Sequence, residues 1–278
     1  MSYLQRPDAR IYFEEHGRAE SCLALTYGLA GSSRLWEPQI QALSSKCRLL
    51  LWDQRGHGRS SSPDDRSSYG PWVSVEDLHA LLDHMGCERA IVGGQSMGGG
   101  VATRFTVRYP NRVAGLIVCN SHSASGLDSS ADIRSMRQQS LWVLEQQGLE
   151  AFAEYAMAED PNIRSRFIAL PQERENVRRQ LSEMFLALDV KGYVNSVIGI
   201  RQSDDLSDRL RSISAPTLLL SGEYDPSLPS MRFIHQEIRS SILHVLPGAG
   251  HHANLDQPEA FNQIILDFLH RHAGIMSS

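Results

Sequence analysis

The residues best suited to chemistry in this chain are Gly94, Gln95, Ser96, Met97 and Gly98, a Gly-x-Ser-x-Gly run. Ala90, Ile91 and Val92 precede it as an apolar stretch, and a helical pattern starts at Met97. In that context the glycines permit a tight strand-to-helix turn that lifts a serine hydroxyl clear of a sheet, because side chains at those positions would collide. The plain alternative is an ordinary glycine turn. A dinucleotide-binding loop does not fit, since Gly-x-Gly-x-x-Gly cannot be threaded through Gly94, Gln95 and Ser96, and no Gly-Lys pair follows.

A serine hydroxyl is a weak nucleophile near neutral pH, so this reading requires a base to take its proton and an acid to orient the base. His251 and His252 follow the apolar run 242–246 through a Pro-Gly-Ala-Gly loop. His251 is the better placed to reach Ser96 over the strand ends, with His252 as its rival. The remaining histidines, among them His57, His79 and His84, read as surface or structural. Asp225 lies just past the apolar run 216–221 and is the acid that fits best. Glu223 is nearer the strand, and a simple Asp-Pro turn is the structural reading of Asp225. The site after the run 115–119 offers Asn120, Ser121 and His122 but no carboxylate. Acyl transfer also needs two donors aimed at the developing oxyanion, each worth about 2.7 to 4 kcal/mol. One is the Met97 amide at a helix N-terminus. The other comes from the turn 27–33, with the Leu29 amide as the candidate.

These groups need a scaffold. Apolar runs at 9–13, 23–27, 48–52, 90–93, 115–119, 216–221 and 242–246 are short and lack polar alternation, as expected of strands covered on both faces of a mostly parallel sheet. Residues 3–6 and 9–13, parted by Pro7 and Asp8, read as an antiparallel opening hairpin. Helical patterns at 36–43, 75–85, 97–109, 231–238 and 259–270 alternate with the runs, which predicts a doubly wound α/β layer structure. In the last, Phe261, Ile264, Ile265, Phe268 and Leu269 form one apolar stripe. From 123 to 208 the alternation stops. A Ser, Gly and Asp-rich linker at 123–132 opens helical patterns, one of them after Pro171 with Val177, Leu181, Met184, Phe185 and Leu188 on one face. The expected division is a core of residues 1–122 and 209–278 with an inserted helical cap at 123–208. In the cap, Trp142, Phe152, Tyr155, Met157 and Phe185 are candidates for an apolar acyl pocket, and His122 for a substrate contact; packing is the competing role.

Composition bounds the partners. The 278 residues are 41% hydrophobic and 21% charged, with a net charge of -5, so there is no basic stripe for nucleic acid. No apolar stretch approaches the roughly 20 residues that cross a bilayer. Charged residues from Arg6 to Glu15 argue against a secretory signal. Cys22, Cys47, Cys87 and Cys119 are widely spaced, without a Cys-x-x-Cys pair or a zinc-binding partner segment, and read as buried reduced thiols of a cytoplasmic protein. No cofactor or metal is expected, and a monomer or homodimer fits.

Taken in order, the segments 27–33 (YGLAGSS), 52–60 (WDQRGHGRS), 94–99 (GQSMGG), 222–226 (GEYDP) and 248–261 (GAGHHANLDQPEAF) resemble the α/β-hydrolase fold family over essentially the whole chain. The resemblance implies a mostly parallel eight-stranded sheet with helices on both faces and an inserted helical cap. It implies Ser96 as nucleophile, His251 as base, Asp225 as its carboxylate, and Leu29 and Met97 as oxyanion donors. Asp53, Arg55, Gly56 and Gly58 match a family loop whose role is mainly structural. Many relatives have His-Gly where this chain has Tyr27 and Gly28, so the side-chain bracing of this loop is open at this point. The cap and the segment 35–39 (LWEPQ) are similar to enol-lactone hydrolases, small-ester carboxylesterases and carbon-carbon hydrolases of ring degradation. Ser96 argues against the haloalkane dehalogenases, which use an aspartate. The expected activity is metal-free hydrolysis of a carboxylic ester or lactone. Carbon-carbon hydrolysis, acyl transfer and a binding protein that retains the pocket are the alternatives.

Overall fold

The computed structural model describes residues 2–122, 131–157, 175–201 and 204–276. The apolar runs form one eight-stranded sheet: β1 (Ser2–Gln5), β2 (Arg10–His16), β3 (Cys22–Thr26), β4 (Arg48–Trp52), β5 (Ala90–Gln95), β6 (Val113–Cys119), β7 (Thr217–Gly222) and β8 (Ser241–Leu246). Their spatial order is β1-β2-β4-β3-β5-β6-β7-β8. The opening hairpin is antiparallel, with Ser2 opposite Phe13 and Gln5 opposite Arg10, and β2 runs antiparallel to β4. The other pairs are parallel. Every residue of β3, β5, β6 and β7 is buried, as runs without alternation require. β8 departs from that expectation. Its sequence is as apolar as the others, but it pairs on one side only, and Ile242 and Val245 are 40% and 37% exposed.

Helices cover both faces. α1 (Glu37–Ser44) and the last helix of the chain lie on one, where Leu23, Leu25 and Ile117 meet Leu43, Phe261, Ile265 and Phe268. α2 (Pro71–His84) and α3 (Met97–Arg108) lie on the other, where Ala24, Leu50 and Val92 meet Leu78, Val101 and Phe105. The opposite assignment of Leu23 and Ala24 is the two-residue side-chain period of a strand. The loop after β4 is tied down by Arg55, whose Nε is 2.7 Å from Asp77 Oδ2 and whose Nη1 is 2.6 Å from Asp8 Oδ2. Asp53 accepts the Ser33 and Arg59 amides at 2.6 and 2.9 Å.

Between β6 and β7 the chain leaves the sheet and forms α4 (Ala131–Met157), α5 (Glu175–Leu186) and α6 (Val190–Arg201). Residues 131 and 132, expected in the linker, are already helical; the rest of that linker and Pro171 lie outside the described residues. Gly148, at φ 88° and ψ -177°, breaks α4 into two pieces. Phe152 packs edge-to-face on Phe185 and Tyr193, with ring centroids 5.7 and 5.1 Å apart. α6 approaches the core backbone-to-backbone: a Cβ on Gly192 would stand 2.5 Å from Gly56 Cα, and one on Gly199 would stand 2.9 Å from Gly70 N. After β7 follow α7 (Leu228–Glu237), α8 (Ala253–Asp256) and α9 (Pro258–Met276). Among the described residues no helix is long and apolar enough to cross a membrane. All four cysteines are buried and free.

Candidate active site

β5 ends at Gln95, and Ser96 takes φ 53° and ψ -120° before α3 begins. That conformation strains a residue with a Cβ by about 1 to 3 kcal/mol, and neighbours must hold it. The Ser96 amide donates to Cys119 O at 2.9 Å, and Ser121 Oγ donates to Ser96 O at 2.6 Å. Glycine is required on both sides. A Cβ on Gly94 would lie 2.3 Å from the Gly98 carbonyl, and one on Gly98 would lie 2.2 Å from Thr26 O.

The turn after β3 passes directly over this serine, since a Cβ on Gly28 would lie 2.8 Å from Ser96 Cβ. Gly31 N donates to Gly28 O at 3.1 Å, with Ala30 at φ 65°. Among the described residues neither the Leu29 nor the Met97 amide has a hydrogen-bond partner. Both belong to segments that meet at Ser96.

Asp225 stands past the end of β7, 3% exposed, with Oδ1 3.1 Å from His251 Nδ1. Ser227 supplies its amide at 2.9 Å and its hydroxyl at 2.7 Å, and Asn120 Nδ2 donates to Oδ2. Burial pushes this carboxyl up, but the charge and hydrogen bond of His251 and the two Ser227 donors bring it down to about 2. Asn120, just past β6 at φ 47°, also donates to Gly250 O at 3.1 Å. Gln95 Nε2 donates to His251 O at 2.9 Å, which ties the histidine loop to the residue before Ser96.

The rivals are engaged elsewhere. Glu223 Oε2 accepts the Gly248 amide at 2.9 Å. His252 is buried, with Nδ1 2.9 Å from the Tyr27 hydroxyl, and burial first, then the charge of His251, pushes it down to about 3. The Tyr27 hydroxyl donates to Asn254 Oδ1 at 3.2 Å, so the His252 Nδ1–H is the donor to the phenol oxygen. The Tyr27 ring lies parallel to His252 at 6.1 Å and edge-on to Trp36 at 5.1 Å. Gln54 Nε2 donates to Tyr27 O at 2.9 Å. Tyr27 thus braces the turn through His252 and Asn254.

The substrate candidates are dispersed. His122 lies past β6 with Nδ1 3.0 Å from Ser230 Oγ. Trp142 is on α4 and 50% exposed. Phe152 and Phe185 are buried in packing between the inserted helices. A cleft of about 760 Å³ opens between the turn after β3 and α5, lined by Ala30, Ser32, Leu35, Arg179 and Met184 among others; Ser96 and His251 are not among its lining residues. Three further residues around the site escaped the sequence reading. Ser227, two residues after Asp225, carries the signal of an Asx turn. Asn120 and Gln95 carry none, because their partners are 105 and 156 residues away. Among the described residues no group of three or more His, Cys, Asp or Glu side chains is placed to hold a metal ion.

A family model described as alpha/beta hydrolase fold matches residues 23–258. The chain belongs to the alpha/beta-hydrolase fold family. Its relatives include a Variovorax paradoxus (strain S110) protein named for carbamate hydrolysis, 28% identical over 266 residues that cover 94% of this chain and 96% of that one. They also include 3-oxoadipate enol-lactonase 2 of Acinetobacter baylyi, 27% identical over 270 residues with 94% of each chain covered. The crystal structure of the enol-lactonase from Burkholderia xenovorans LB400 superposes with a TM-score of 0.83 at 25% identity, covering 96% of this chain and 99% of that one. The resemblance to enol-lactone hydrolases read from the motifs is therefore shown, and hydrolysis is the activity that the family and these relatives support.

Proposed function

We propose that this protein is a serine hydrolase that cleaves a carboxylic ester or lactone through an acyl-enzyme on Ser96. The observation that carries the reading is Asp225 Oδ1 3.1 Å from His251 Nδ1, with the His251 loop hydrogen-bonded to Gln95 beside the strained turn that presents Ser96. In this reading Asp225 holds His251 with its Nδ1 proton inward, which leaves Nε2 to accept. Ser96 Oγ attacks the carbonyl carbon while Nε2 takes its proton, and the Leu29 and Met97 amides receive the oxyanion. The tetrahedral intermediate collapses and His251 returns the proton to the leaving alkoxide. Water then attacks the acyl group, giving a proton to His251, and collapse frees the acid and restores the Ser96 hydroxyl.

The segment 123–208 acts here as a cap over a core of residues 1–122 and 209–278, and Trp142 and His122 contact the substrate. The substrate is a small molecule, and the chain works as a monomer or homodimer in the cytoplasm. A second reading replaces the ester by a carbamate, which the same attack on a carbonyl serves, and the 28% identical relative favours it. The test is a panel of short esters, lactones and carbamates with wild-type and Ser96→Ala protein. Turnover of an ester or lactone that disappears in the variant is the expected result. Carbamate turnover alone selects the second reading, and equal turnover by wild-type and variant contradicts both.

A further inference from the structure

His251 stands on the loop that follows β8, and β8 is an edge strand with β7 as its one neighbour. Such a loop has no second strand beside it to fix where its side chains point. Consecutive carbonyls of this loop are nevertheless held by donors from the neighbouring strand ends. Ala249 O accepts the Tyr224 amide at 3.0 Å, Gly250 O accepts Asn120 Nδ2 at 3.1 Å, and His251 O accepts Gln95 Nε2 at 2.9 Å. Tyr224 lies just past β7, Asn120 is the residue after β6, and Gln95 is the last residue of β5. The last two donors are side-chain amides, on residues 1% and 2% exposed.

Both amides are placed under constraint. Asn120 takes φ 47°, and asparagine is one of the few residue types with a Cβ that visits this region. Its Nδ2 faces two acceptors, Asp225 Oδ2 and Gly250 O, which fixes the orientation of the amide. Oδ1 is then left buried with no hydrogen-bond partner among the described residues, a cost to the fold that calls for a role. Gln95 is confined from above by the turn after β3, since a Cβ on Gly28 would lie 2.6 Å from Gln95 Oε1. One amide thus joins the Asp225 carboxylate to the histidine loop, and the other joins the strand that leads into Ser96 to the same loop.

We propose that Gln95 and Asn120 are positioning residues that hold His251 within reach of Ser96 by gripping the main chain of its loop, an inference that rests on the serine chemistry proposed above. Neither amide touches the reacting atoms. A general base works only within about 2.6 to 3.2 Å of the proton it takes, and a misplacement of about 1 Å can cost about 10²-fold in rate. Holding the carbonyls fixes the backbone that carries the imidazole and leaves its ring nitrogens to Asp225 and Ser96. Asn120 also occupies Asp225 Oδ2, together with the Ser227 hydroxyl, while Oδ1 faces His251 and the Ser227 amide. The loss of either grip therefore acts on the proton-transfer geometry and not on substrate binding.

The test uses full-length Gln95→Met, Asn120→Gly and the double variant. Methionine keeps the length of glutamine without a donor, and glycine takes φ 47° without strain, so each substitution removes an amide and spares the backbone. Hydrogen–deuterium exchange read by mass spectrometry follows the peptide over 248–253, in which the amides of Gly248, Ala249 and Gly250 are hydrogen-bonded. Exchange there is expected to be about tenfold faster in each single variant and faster again in the double, with the rest of the sheet unchanged. On an ester that the wild type turns over, kcat is expected to fall about tenfold or more with KM within about twofold. Loop exchange at the wild-type rate in both single variants overturns the clamp. Faster exchange with kcat retained, or a rise in KM alone, overturns the positioning role and leaves the amides to the stability of the loop. A wild-type protein that turns over no ester, lactone or carbamate defeats the proposed function and the positioning role with it, whereas exchange, which needs no substrate, still decides the clamp.

Discussion

At the carboxyl edge of the sheet, β3, β5 and β6 run out into Ala30, Ser96 and Asn120, the described non-glycine residues with left-handed φ, at 65°, 53° and 47°. At the amino edge Cys22 is the register partner of both Arg48 and Ala90, the pairing of β5 with β6 shifts between Ala90 and Ile91, and charges meet in pairs such as Arg48 with Glu15. Strain of about 1 to 3 kcal/mol at each of three positions persists only where surroundings over-determine it. Here those surroundings are Ser121 on the Ser96 carbonyl, Gly28 against Ser96 Cβ, and Asn120 itself clamped between Asp225 and Gly250. This fold concentrates backbone strain and buried polar networks at the edge where three far-separated loops converge, and its other edge carries ion pairs and a register shift between Ala90 and Ile91.

Substitutions can break that contrast. The largest effect is expected for Asp225→Asn, which keeps the size of the side chain but reverses the hydrogen bond that, in the proposed mechanism, sets the His251 tautomer. A fall in kcat of about 10⁴-fold with a circular dichroism spectrum like that of the wild type is the expected outcome. A kcat within a few-fold of wild type would detach Asp225 from the chemistry. Next in size is the pH dependence set by His252. Its folded pKa is about 3 against an ordinary 6.5, so the unfolded chain binds a proton in that window while the folded chain does not. Stability is therefore lost as pH falls below 6.5 towards 3, at about 1.4 kcal/mol per pH unit from this group. Urea unfolding at several pH values is expected to show a slope shallower by that amount in His252→Gln; parallel slopes in the two proteins would contradict the assignment.

Much of this architecture is legible in the amino-acid sequence, because it rests on local rules. Two-sided burial writes β3, β5, β6 and β7 as unbroken apolar runs, and a tight elbow writes Gly94 and Gly98 around Ser96. β8 shows the limit: whether a strand has one neighbour or two is a property of the sheet order and leaves no mark in the run itself. The pairing of Asp225 with His251 and not His252 belongs to the same class. Both histidines share one loop, and what separates them is Tyr27, 225 residues from His252. Asn120 was visible only as an absence of carboxylate after β6, although its amide now bridges Asp225 and the His251 loop.

Smaller effects are expected at Tyr27 and Glu15. Tyr27→Phe removes the hydroxyl that joins His252 to Asn254 beneath the turn carrying Leu29. About 1 to 3 kcal/mol of stability is expected to go with the unsatisfied partners. A tilted donor is expected to lower kcat about tenfold, equivalent to about 1.4 kcal/mol, with KM little changed. An effect on stability alone would make Tyr27 a packing residue. At the amino edge, Glu15→Gln removes a largely exposed ion pair with Arg48. It is expected to cost at most about 1 kcal/mol and to leave kcat as it is; a loss of activity there would show that the two edges are coupled.

Mass spectrometric mapping of a fluorophosphonate adduct, followed over time in wild type, Ser96→Ala and His251→Ala, tests whether Ser96 is a nucleophile activated by His251. One adduct on the Ser96 peptide is expected, absent from Ser96→Ala and formed at least about 10²-fold more slowly in His251→Ala. Labelling elsewhere, or at the wild-type rate without His251, would contradict it.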